Sequence, residues 1–187
     1  MKKLLVLSMV LASFVSYGQE FVVTTDGLKD KSNIEKTFVV INVEGKTAKQ
    51  LYDNAILYVN TTYKNPSAVM RGNINGEFLS FTTHSDFKVE NGFSKAPFTM
   101  DYLTSLTFKD GKVKYEIQEL DMLSVGTQPR VKLWWVGNAL QFSIFNKSNE
   151  VKREGTKSYL EEYFNQGVSS VKTYLEGKSS ATKKDDF

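Results

Sequence analysis

The stretch VVINVEGKTAKQLY (residues 39 to 52) joins a strand-like run to a helix-like run through Gly45-Lys46-Thr47, where a nucleotide-binding loop would cradle phosphates. Such a loop needs a glycine five residues before Gly45, so that bare backbone amides can curl around the anion. Position 40 is Val40, so Gly45-Lys46 reads as a tight turn from strand to helix. His84 is the only histidine, and Asp86 two residues on would share its face of a strand, the spacing of a metal or acid-base pair. A tetrahedral zinc site draws on several His or Cys ligands, and the chain has no cysteine. A surface position is therefore expected for His84, with no metal. Any histidine-based triad would have to use His84, and no G-x-S-x-G elbow occurs. The pairs Glu161-Glu162 and Asp185-Asp186 are neighbours in sequence, whereas glycosidase chemistry needs carboxylates facing each other across a cleft. No calcium loop of the D-x-[DN]-x-[DN]-G type is present. These residues predict no catalytic constellation, no cofactor and no enzyme activity.

The aromatic residues are better placed for binding. Tyr and Trp present an apolar body with a polar tip, which suits pocket mouths and interfaces as well as cores. Tyr163, Phe164 and Tyr174 lie on one helical segment and are candidate lining for a small apolar ligand. In Trp134-Trp135, further candidates for ligand binding, a strand would send the two rings to opposite faces, either exposing one as a partner or ligand surface or placing one in the core and one under the segment 121–130.

The elements that must position these groups follow from periodicity. TFVVINVE (37–44) is a β-branched and aromatic strand. Thr47 with Gln50 forms a capping box, and Leu51, Ala55, Val59 and Tyr63 give the following helix one apolar face, ended by Asn65-Pro66. From Ala68 to Leu120 the pattern is β, with turns at Asn75-Gly76 and Asn91-Gly92. LTFKDGKVKYEIQEL alternates about Asp110-Gly111, predicting a type I′ hairpin with Lys109, Lys112, Lys114 and Glu116 toward water. Residues 121–130 read as a loop, and VKLWWVGNALQFSIF as a last hairpin about Gly137-Asn138. From Lys152 to Glu176 a helix is expected, with Leu160, Phe164, Val168, Val171 and Leu175 on its stripe and Gly177 as its stop. Gly167 interrupts that helix, either as a tolerated small residue or as a point of close approach to a sheet.

The chain ends set its expected location. MKKLLVLSMVLASFVSYGQE has two lysines, an apolar run and small residues before Gln19, a secretory signal peptide cleaved near Gly18/Gln19. Its apolar run is shorter than the roughly 20 residues a bilayer span needs, so no transmembrane segment is expected in the mature chain. The exported product is periplasmic or secreted. It has roughly 170 residues, enough for one domain with a sizeable core. Of the 24 basic and 21 acidic residues, Lys2 and Lys3 leave with the signal. The near-neutral remainder has no electrostatic case for nucleic acid, which relies on neutralising several phosphates. The expected organisation is a signal peptide over 1–18, a lead-in over 19–36 contributing an edge strand, one domain over 37–177, and a disordered tail over 178–187.

The order is strand, helix, four or more antiparallel strands, then a long helix. It predicts an α+β domain whose C-terminal helix packs on one face of an antiparallel sheet. With TFVVINVE, GKTAKQLYDNAILYVNTTYKNP and LTFKDGKVKYEIQEL in place, the chain resembles the exported bacterial domain of unknown function 4468 family. That resemblance implies a TBP-like fold and an exported location, and brings no activity or catalytic residue; the same order is also similar to helix-grip domains. The TBP-like label describes shape and does not license DNA binding. Two functional expectations follow. One is a protein-interaction or structural domain of the periplasm or cell envelope with a solid core. The other is a periplasmic binder holding a small apolar ligand between the last helix and the sheet.

Overall fold

The structure is a computed structural model that describes residues 19–125, 130–134 and 142–178. The main sheet follows the order β3-β7-β6-β5-β4 with every pairing antiparallel: β3 Phe38–Asn42, β4 Met70–Ile74, β5 Phe78–Asn91, β6 Ser94–Lys109 and β7 Lys112–Ser124. A short sixth strand, β8 (Arg130–Val131), pairs with the far end of β7. The helices α1 (Ala48–Thr62) and α3 (Glu154–Leu175) pack on one face of this sheet, here called the inner face. The predicted α+β architecture is the one observed.

Each helix is delimited by local chemistry. At α1 the Thr47 hydroxyl accepts from Gln50 N and the Gln50 side chain accepts from Thr47 N, the predicted capping box. The helix stops at Thr62, and Asn65-Pro66 opens a separate turn of helix, α2 (Pro66–Val69), with Asn65 as its N-cap. Sequence reasoning took Asn65-Pro66 as a stop. Proline is equally suited to the first position of a new helix, where its missing N–H has no partner to lose. At the end of α3, Gly177 takes φ 73° while Gly177 N bonds Tyr174 O and Lys178 N bonds Thr173 O. That is a Schellman stop.

The segment 19–36 departs from expectation. It forms its own hairpin, β1 (Phe21–Thr24) with β2 (Gly27–Asp30), and adds no strand to the main sheet. Phe21 and Val23 are buried, and their backbone is held by α3: Asn165 bonds Phe21 N and O, and Glu161 accepts from Val23 N. The hairpin thus joins the inner layer beside α3, with the Phe21 ring against Tyr115.

Two expectations about β7 are corrected. Asp110 does not take a positive φ; only Gly111 does, so the turn is not type I′. The reason is tertiary, because the hairpin tip is bonded to the chain around α1's start (Val43 N to Gly111 O, Gly111 N to Lys46 O). The expected loop at 121–130 is also wrong over 121–124, which continue β7. Between the pairs Leu103↔Gln118 and Asp101↔Asp121, Glu119 and Leu120 oppose Tyr102 alone, and Glu119 carries φ 49°. This bulge reverses the strand's parity, so Val113 and Tyr115 point inward before it and Met122 after it. The hairpin expected about Gly137-Asn138 and the signal peptide lie outside the described residues.

The core is continuous between the sheet's inner face and the helices, with Leu79, Phe81, Phe98, Met100 and Leu106 from strands meeting Leu51, Val59, Leu160 and Phe164. The predicted stripe of α3 is buried throughout.

Candidate functional site

The helix start that invited a phosphate reading is already satisfied. Besides the capping box, Asp110 Oδ1 from the β6–β7 tip accepts from Ala48 N at 2.8 Å, placing a carboxylate on the N-terminus of α1. An anion at a helix N-terminus stabilises it for the reason a phosphate would, through the unpaired N–H groups and the helix dipole. Gly45 at φ 74° serves the strand-to-helix turn.

The aromatic candidates are placed individually. Phe164 is 1% exposed and sits edge-on to Tyr102, with ring centroids 5.3 Å apart. The Tyr163 hydroxyl bonds that of Tyr102 at 3.0 Å, and Tyr174 accepts from Thr61 while its ring meets Tyr58. The cavities described below are lined by other residues. Burial pushes the Tyr58, Tyr102 and Tyr115 phenols well above the ordinary tyrosine range, so they serve as neutral hydrogen-bonding groups. Gly167 has the close-approach role: a Cβ there would lie 3.2 Å from the Tyr115 hydroxyl. Trp134 is 9% exposed and packs on Gly27 of the β1–β2 hairpin. It borders a cavity of about 250 Å³ with Asp26, Leu28, Ile117, Glu119 and Lys132. Its ring is therefore not itself an exposed partner or ligand surface, and the β1–β2 hairpin packs on it. Trp135 lies outside the described residues.

Among the described residues no helix lies on the other face of the sheet, and strand register assembles that face from residues distant in sequence. One row runs Ile74, Phe78, Thr107, Lys114, Val40 across five strands. A neighbouring row runs Gly72, Ser80, Ser105, Glu116, Phe38. Ile74 is 55% exposed, while Phe78 lies close enough to Gly72 that a Cβ there would meet its ring at 2.8 Å. Toward the β6–β7 tip stand Lys109 and Lys112, directly paired in register and both exposed. The opposite end is acidic: His84 Nδ1 lies 2.8 Å from Asp101 Oδ1 and its Nε2 is 3.7 Å from Asp86. Arg71, Thr82, Asp101, Leu103, Glu119 and Asp121 border a depression of about 300 Å³ there. His84 is thus a surface strand residue as expected, and no group of three or more His, Cys, Asp or Glu side chains among the described residues could hold a metal ion. No helix among the described residues is long and apolar enough to cross a membrane.

A sheet covered by helices on one face and, among the described residues, by none on the other makes this an α+β domain of the TBP-like class. Residues 38–122 match the family described as "Domain of unknown function (DUF4468) with TBP-like fold". Among solved structures, a DUF4468 family protein from Bacteroides ovatus ATCC 8483 is similar at 14% identity and TM-score 0.55, covering 79% of this chain and 90% of that one. A TBP-like protein from Parabacteroides distasonis ATCC 8503 matches at 13% identity and TM-score 0.44, over 71% of this chain and 88% of that one. At 14% identity the first likeness speaks to fold alone. No curated protein matches the chain.

Proposed function

We propose that this protein is a non-catalytic interaction domain of the cell envelope that engages a protein partner through the outer face of its sheet. The observation that carries the reading is the one-sided covering: both long helices and the β1–β2 hairpin lie on the inner face, leaving Ile74, Phe78 and Val40 in one row of the other face and Phe38 in the next. Ile74 is exposed and Phe78, Val40 and Phe38 are half-buried, and a contiguous apolar patch rimmed by polar residues marks a partner surface. The envelope location rests on the N-terminal pattern of lysines, apolar run and small residues. Against a ligand held between α3 and the sheet stand Leu160, Phe164 and Val168, each at most 4% exposed and filling that space.

The test is site-specific photocrosslinking in the producing cells, with benzoylphenylalanine at Ile74 or Thr107 on the outer face and at Glu162 on the exposed side of α3. Discrete adducts from the first two positions alone are expected. Adducts of equal yield from Glu162, or none from Ile74 and Thr107, would reject an outer-face partner.

A further inference from the structure

At the β3 edge of the outer face lies a groove of about 320 Å³ bordered by Phe38, Val40, Thr107, Lys109, Lys112 and Lys114. Its floor is apolar and its rim is cationic. We propose that this groove binds a monomeric anionic amphiphile, an acyl carboxylate whose head lies between Lys109 and Lys112 and whose chain runs over Val40 and Phe38.

Four observations carry this assignment. First, Lys109 and Lys112 are directly opposite across the hairpin, an arrangement of like charges that costs stability in the empty protein and is relieved by an anion between them. Neither has a hydrogen-bond or ion-pair partner among the described residues. Second, two neighbouring carboxylates are engaged elsewhere. Asp110 at the tip bonds Ala48 N, and Glu116 takes Lys114 at 2.7 Å together with the Thr37 hydroxyl and the Gln118 amide. Third, Lys114 Nζ stands 4.7 Å from the Phe38 ring centroid, with Lys36 Nζ at 6.0 Å, so the ring's cationic neighbours lie beside an apolar floor. Fourth, the volume lies at the lower end of the range for small-molecule sites, which suits a single small amphiphile. A bare inorganic anion would leave Val40 and Phe38 without a role, and a neutral chain would leave the lysines unrelieved. The site stands apart from the protein-partner reading, since it needs one end of the face only.

The test uses the protein recovered from its producing cells, 15N-labelled and titrated with sodium dodecanoate below its micelle concentration. Dodecyltrimethylammonium, acetate and phosphatidylglycerol vesicles are titrated in parallel. Saturable shifts of the Val40, Thr107, Lys112 and Lys114 amides with dodecanoate are expected, with none from acetate or the cationic analogue. Combined Lys109→Gln and Lys112→Gln should weaken dodecanoate at least about tenfold, at a melting temperature no lower than the parent's because the like-charge pair is gone. Lys88→Gln, on the same face at its other end, should leave it unchanged. The proposal is overturned if the double lysine variant binds as the parent does, if the cationic analogue binds equally, or if only vesicles bind. None of these results alters the crosslinking outcome at Ile74.

Discussion

Gly167 sets two well-calibrated effects against each other, and the structure decides the sign of Gly167→Ala. Alanine in a helix interior is favoured over glycine by about 0.8 to 1 kcal/mol. The added methyl, however, would lie 3.2 Å from the Tyr115 hydroxyl, too close by a few tenths of an ångström. Whether Tyr115 can retreat is the deciding question. Its ring is 4% exposed and packed against Phe21, with Thr104, itself 1% exposed, beside its hydroxyl. Inserting a methyl into a packed core costs about 1 to 3 kcal/mol, so the net expectation is destabilisation of about 1 kcal/mol. For a chain of this length that is about 2 to 4 °C in melting temperature. Removing the obstructing oxygen should reverse the sign. In a Tyr115→Phe background, Gly167→Ala should stabilise by about 1 kcal/mol relative to Tyr115→Phe alone, recovering the helix propensity. Urea unfolding of the four proteins, followed by circular dichroism, gives the coupling directly, expected near 2 kcal/mol. A stabilising Gly167→Ala in the parent, or a coupling under about 0.5 kcal/mol, would refute close approach as the reason for glycine here.

Asp110→Ala should cost about 1 kcal/mol by leaving Ala48 N without its carboxylate, and Thr47→Ala a similar amount, both read from urea midpoints. Glu119→Gly should stabilise by about 0.5 to 1 kcal/mol, because Glu119 holds φ 49°, while Glu119→Val should destabilise through its branched Cβ. The buried phenols of Tyr58, Tyr102 and Tyr115 have raised folded pKa values, so the unfolded chain releases their protons first as pH rises. Stability should be intact below the unfolded tyrosine value of about 10 and fall above it. An ultraviolet phenolate titration should show these three ionising only together with unfolding, and their ionisation in the folded protein would contradict the assignment.

Features set by local chemistry were legible in the sequence. The capping box at Thr47, the stripe from Leu160 to Leu175 and the stop at Gly177 each depend on residues within a few positions of one another. The bulge was not legible. Counted without it, the alternation of Val113, Tyr115 and Ile117 puts Met122 on the wrong face, and residues 121–124 resemble a loop. One residue at Glu119 restores the phase, and nothing in its own side chain announces that. The outer-face groove was half visible. Lys109, Lys112 and Lys114 were read as facing water, but their neighbours Val40 and Phe38 come from a strand some 70 residues earlier and join them only through register. Aromatics on α3 drew attention as binding residues because size and type alone do not distinguish a core filler from a pocket wall.

The β6–β7 tip links the two readings of Gly45-Lys46-Thr47. A nucleotide loop would leave helix α1's first amides for a phosphate; here Asp110 reaches across and takes Ala48 N itself. That use of Asp110 has a consequence for the opposite face. The carboxylate best placed to neutralise Lys109 and Lys112 is directed at the helix, so the two lysines flank the turn without it. Capping the helix and charging the groove are therefore one arrangement. Asp110→Asn separates them: it keeps an oxygen for Ala48 N while removing the charge, and should lower stability by less than Asp110→Ala while leaving the groove at least as attractive to dodecanoate. Weaker dodecanoate binding in Asp110→Asn at unchanged stability would instead place the anion's head elsewhere.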